Sequence, residues 1–145
     1  MKKLLWFLFL CLVVLLGMAC GKTEPVVSGA VAFVTPTDDA VVGDTFVVRL
    51  SAEALKIVPA TGTPVAGEAH HHVFVDIDPT PDSIPIPKGA GIFHIGTGAD
   101  SLVLSLPAGM HRLIAVPATG DHIPTRGATR DTLNIEVKSG PITPS

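Results

Sequence analysis

From residue 29 onward the apolar positions recur mostly at a spacing of two, the period of a β-strand rather than of a helix. Val31 and Phe33 share one face of an expected strand over 29–34. Phe46, Val48 and Leu50 alternate with Val47 and Arg49 over 45–52. Val73, Val75 and Ile77 alternate with Phe74, Asp76 and Asp78 over 71–77. Further strands are expected over 92–95, 101–106 and 132–138, the last with Leu133, Ile135 and Val137 on one face. Residues 110–116, MHRLIAV, are apolar on both parities. A central strand covered on both faces reads this way, and so does a strand nearer the edge in another register.

Between these runs lie turn residues. Thr35-Pro36-Thr37-Asp38-Asp39 is a turn, and the segment 78–91, DPTPDSIPIPKGAG, holds four prolines. Proline cannot donate to a ladder, so that segment is a loop or a protected edge. Seven short strands and no convincing helix predict an all-β fold, an antiparallel immunoglobulin-like β-sandwich. A cupredoxin-like barrel is the alternative.

The first residues follow another pattern. Lys2 and Lys3 precede an unbroken apolar run from Leu4 to Leu16, too short for a comfortable transmembrane helix. LLGMAC closes it, with small Ala19 before Cys20. This resembles a bacterial lipoprotein signal, in which the chain is cut before a cysteine that carries lipid. Gly17 departs from the pattern, which usually has Leu there. An ordinary secretory signal cut near Ala19 and an uncleaved anchor are the other readings. The expected organisation is a signal peptide at 1–19, a lipidated Cys20 and tether at 20–28, one β-sandwich domain at 29–140 and a disordered tail at 141–145. A lipid on Cys20 implies attachment to a membrane at the cell envelope, on a periplasmic or extracellular face, and at the outer membrane in a cell that has one.

Cleavage changes the inventory. Loss of Lys2 and Lys3 moves the formal net charge from −3 to −5, and Cys11 leaves as well. No cysteine pair remains for a disulfide, although the compartment permits one. A mildly acidic surface excludes nucleic acid as the expected partner. No nucleophile elbow or phosphate loop is present, and nothing around Ser101, Ser105 and Asp100 marks a triad, so an enzyme is not the first expectation.

The candidate chemistry is histidine. All six fall between residues 70 and 122: His70, His71, His72, His94, His111 and His122. Imidazole suits late first-row metals such as Zn and Cu. On a strand, His70 and His72 point to one face with Asp76, and His71 points with Val73 to the other. His71 is expected as a structural histidine with one hydrogen bond. The outer pair is either a chelating H-x-H or a solvated polar face. In an immunoglobulin-type sandwich the start of the strand at 71–77, the end of 92–95 and the loop at 118–130 meet at one end. The expected site is therefore His70, His72, His94 and His122, with Asp121 as orienting residue or extra ligand. His111 falls at the opposite end. Glu68 is either a base beside a metal or a solvated loop carboxylate.

Taken together, EAHHHVFVDID, IPKG, FHIGTGADSLVLSLPAGMHRLIAV and GDHIP resemble the bacterial family known as domain of unknown function 4399, over about residues 31–137. His70, His71, His72, Asp76, His94, Gly96, Gly109, His111, Asp121, His122 and Pro124 match its pattern. The family has a further histidine two places before His94, where this chain has Ile92. It also carries more histidine around the last motif, where this chain has His122 and then Thr125. The resemblance implies fold and motif, not an activity. Three functions are open. The first is a lipid-anchored domain holding Cu or Zn through histidines. The second is a metal-free interaction or structural module with a histidine hydrogen-bond network and an unknown protein partner. The third is a metal-dependent enzyme.

Overall fold

Residues 28–140 are described by the structure, a computed structural model. The expected signal, Cys20 and nearly all of the tether lie outside these residues, as does the tail at 141–145. Nine strands form in chain order: β1 (Ala30–Thr35), β2 (Ala40–Gly43), β3 (Thr45–Glu53), β4 (Lys56–Ile57), β5 (Glu68–Val75), β6 (Ile92–Ile95), β7 (Ser101–Ser105), β8 (Gly109–Ala118) and β9 (Asp131–Lys138). The seven expected strands are all present. β2 and β4 are additional, and at four and two residues they are too short to show a period.

The strands form two sheets, a sandwich and not a barrel. One sheet has the order β1-β3-β7. The other runs β2-β9-β8-β5-β4, with β6 also on β5. The central pairings are antiparallel, but β2 runs parallel to β9 and β4 parallel to β5, so the larger sheet is mixed. The first strand region is divided: β1 joins β3, and after the turn β2 crosses to the other sheet. This is the immunoglobulin-like arrangement.

The alternation explains the core. Val48 and Leu50 of β3 and Leu104 of β7 face Val73, Leu113, Leu133 and Ile135, and all are buried. A smaller second core lies on the outer face of the larger sheet. There Phe74, Ile114, Val116 and Ala118 pack against Ile86 from the proline-rich segment. Leu113–Val116, the second half of the double-parity run, thus lies in a central strand covered on both faces, whereas Met110 is exposed.

One boundary matters for the site. β5 begins at Glu68 and ends at Val75 rather than running from 71 to 77. Asp76 sits at φ 58°, a left-handed conformation that ends the strand. Asp76 therefore does not continue the outer row of His70 and His72, and Ile77 is exposed instead of facing the core.

Candidate metal centre

Three segments bring four imidazoles together. His70 and His72 stand two residues apart on the outer face of β5. β6 pairs antiparallel with β5 in a register that sets His94 directly opposite His72. Their rings stack with centroids 4.8 Å apart and planes at 22°. His122 arrives from the loop after β8. That loop is folded back by Thr119 N–H donating to the Ile123 carbonyl, His122 N–H to Thr119 and Thr125 N–H to Pro117. His122 itself takes φ 68°, a conformation that histidine adopts more readily than most residues but still at a cost.

One ring nitrogen from each of His70, His72, His94 and His122 lies within 4.8 Å of the others, a geometry compatible with a metal site. His70 is 4.9 Å from His94 and 4.9 Å from His122, centroid to centroid. A tetrahedral zinc set with bonds of about 2.05 Å has nitrogens about 3.4 Å apart, so the rings need only close inward. His70 and His72 are 0% and 1% exposed. Both ring nitrogens of His70 and Nδ1 of His72 are buried without a hydrogen-bond partner. Leaving a buried polar atom unpaired costs about 1–3 kcal/mol, so this arrangement is expensive for a set of bystanders.

Protonation is suppressed where the donors are. Burial, then the neighbouring His94 and His122, lower the His70 pKa to about 4. Burial, then His70, His94 and His122, lower His72 to about 3. His94 is also lowered, by burial first, then by His122 and the Lys88 ammonium. Neutral imidazole is the metal-binding form.

The other expected residues fall as follows. Asp121 is not one of the four grouped donors. Its Oδ1 lies 2.5 Å from the Thr119 hydroxyl, which is also 2.9 Å from the Ile123 carbonyl. It borders, with His72, His94 and His122, a cavity of about 470 Å³. Glu68 is the first residue of β5 and not a loop residue, and it pairs with Lys56 at 2.8 Å, away from the four grouped donors. His71 faces the core, but the hydrogen bond expected of it is not made: both its ring nitrogens are buried without a partner. Burial lowers its pKa, and the Asp100 carboxylate works against that shift. His111 lies at the other end, with Nδ1 2.6 Å from Asp76 Oδ2 and Nε2 2.9 Å from the Pro107 carbonyl.

Two contributors, both within the family's motifs, had no role assigned at the site. The proline-rich segment is the far wall of the cavity, through Pro85, Ile86 and Pro87. Ile86 N–H donates to the His122 carbonyl at 2.8 Å and its side chain is buried. The alternation of isoleucine and proline in SIPIP was the available signal. Gly96 is the second. A Cβ there would stand 2.2 Å from His94 Cε1 and 2.4 Å from Nε2, so the ring rests on the glycine.

No curated protein matches the chain. Several solved structures are similar in fold. The endo-beta-1,4-mannanase from Thermotoga petrophila matches at 15% identity and a TM-score of 0.44, over 82% of this chain and 22% of that one. The CbhA fibronectin(III)-like modules of Clostridium thermocellum match at 15% identity and a TM-score of 0.45, over 80% and 50%. The PKD domain of human KIAA0319 matches at 13% identity and a TM-score of 0.42, over 89% and 97%. This chain thus spans half or less of the first two. The model of the family described as Domain of unknown function (DUF4399) matches residues 48–138, which is more than half of the sequence, and the chain belongs to that family.

Proposed function

We propose that this protein is a lipid-anchored domain of the cell envelope that binds a divalent transition metal, Cu²⁺ or Zn²⁺, through His70, His72, His94 and His122. The observation that carries the reading is the convergence of four imidazoles, two of them fully buried, with ring nitrogens that have no other partner. Nitrogen donors without thiolate favour Cu²⁺ or Zn²⁺ over Cu⁺. Four protein ligands suit holding, buffering or delivering a metal more than catalysis, and leave space for a fifth ligand on the side that three of them share with the cavity. Cys20 supplies the anchor in this reading.

Isothermal titration of Cu²⁺ and Zn²⁺ into the full-length protein in detergent tests it, beside a His70→Ala/His72→Ala variant. The expected result is one-to-one binding that falls at least about 100-fold in the variant, since each lost ligand removes a coordinate bond. Binding that survives the double substitution overturns the reading.

The second reading is a metal-free immunoglobulin-like interaction or structural module. His71 favours it, because this fold already buries one imidazole without a partner. Against it, the hydrogen-bond network it calls for is missing at His70.

A further inference from the structure

The proposed metal would carry two positive charges into a group of four neutral imidazoles. Two of these are buried, at 0% and 1% exposure. The donors contribute no compensating charge. Asp121, which accepts a hydrogen bond from Thr119, is the one carboxylate bordering the adjoining cavity, and a single carboxylate offsets at most half of the metal's charge. A lysine, Lys88, borders the same cavity and adds to the positive charge. Lys88 takes part in none of the ion pairs among the described residues. Uncompensated charge at a partly buried site is costly.

The cavity meets three of the four histidines, His72, His94 and His122, and not His70. His70 is therefore the deep donor, and the metal's other side looks into the cavity. Its volume of about 470 Å³ lies within the ordinary range for small-ligand pockets. The opposite wall is apolar, formed by Pro85, Ile86 and Pro87 with Ile92. One face offers positive charge, the other a short hydrophobic surface.

We infer that the site takes its metal together with a small organic anion of the carboxylate class, which occupies this cavity with its charged end between the metal and Lys88 and its apolar body against the Pro85–Pro87 wall. This rests on the metal-binding reading and adds a ligand class to it. Anion and metal then bind cooperatively: each offsets the charge that the other leaves exposed, and the coupling is reciprocal. Lys88 is a binding residue for the anion and not for the metal.

The test uses full-length protein in detergent and chloride-free buffer, with Cu²⁺ as metal, acetate and butyrate as carboxylate probes, and azide as a spectroscopic probe. Cu²⁺ affinity is measured first, alone. Added carboxylate is expected to raise it about tenfold, a coupling of about 1.4 kcal/mol, with butyrate effective at lower concentration than acetate. Azide is expected to produce a charge-transfer band that carboxylate removes. In Lys88→Ala, Cu²⁺ affinity without anion is expected to stay within about twofold, while anion affinity falls at least about fivefold. One-to-one Cu²⁺ binding that responds to no anion overturns this inference alone. An anion response that Lys88→Ala leaves intact overturns the cavity as its location. Failure of Cu²⁺ to bind overturns both this inference and the metal reading beneath it.

Discussion

Gly96 shows how far a single atom reaches at this site. The His94 ring lies where a Cβ on residue 96 would be, yet His94 is exposed and has room to swing away. Gly96→Ala is therefore expected to leave the fold intact, with a melting temperature within a few degrees of the parent. It should also weaken metal binding at least about tenfold, the loss of one imidazole from four. Titration with Zn²⁺ beside a thermal melt of the apo-protein checks both parts. At this scale much was legible. The parity of His70 and His72 follows from strand geometry alone, and the placing of His94 and His122 from the order of strands in a sandwich. The glycine beneath His94 was not legible, because contact between residues 94 and 96 depends on a rotamer that no spacing encodes. Nor was the burial of the histidine row. A strand face covered by a loop looks like a solvated face until the loop is placed.

At the scale of elements, the far ends of β5 and β8 are tied by a different histidine. His111 donates from both ring nitrogens only when it is protonated. Burial opposes that charge, but Asp76 and the Pro107 carbonyl outweigh burial and raise its pKa. Asp76 is partly desolvated, which works the other way, but the Arg112 backbone N–H and His111 hold its pKa below the usual range. The His111 contribution is complete below about pH 6.5 and fades as pH rises through its raised folded value. The Asp76 contribution is present above about pH 4 and is lost as pH falls through its lowered value. His111→Gln is expected to cost about 1 kcal/mol near pH 6, discounted for the exposure of Asp76, and progressively less toward pH 9. Urea midpoints of both proteins across that range measure the difference. The proline-rich segment is the other element with a distinct role. Ile86→Ala removes the anchor that packs on Phe74, Ile114 and Val116, and is expected to cost about 2–4 kcal/mol and to loosen the loop that holds His122. Amide exchange at residues 84–91 and 119–125 reports the loosening. Turn chemistry identified that segment as a loop, but not as a covering layer. Ile86 belongs to a second core on the other face of the larger sheet, which a run broken by four prolines has no period to announce.

For the whole molecule, protonation and metal act on the same equilibrium. Unfolded histidines take up protons below about pH 6.5, whereas folded His70 and His72 resist until about 4 and about 3. As pH falls through that interval the unfolded chain binds more protons, and the apo-fold loses stability. A His70→Asn/His72→Asn variant should lose less, as judged from urea midpoints at pH 7 and pH 5. At pH 7, a metal at 100 times its dissociation constant should add at most about 2.7 kcal/mol, visible as a raised melting temperature that the double variant lacks. The sandwich itself was legible because seven short strand-like runs, most of period two, admit few other folds. β2 and β4 were not, since strands of four and two residues are fixed by the neighbours they pair with.

His70, His71 and His72 are contiguous, whereas His94 and His122 reach them only through the fold. Denaturation does not abolish chelation by this chain; it exchanges a four-point cage for a local tripeptide. The unfolded ensemble keeps a competing claim on the ion, so the rise in melting temperature will understate the affinity measured on the native state. The shortfall is what the unfolded tripeptide still holds, and the stabilisation that survives it is a direct reading of what His94 and His122 add. It is also the margin by which the ion discriminates a finished molecule from an unfinished one.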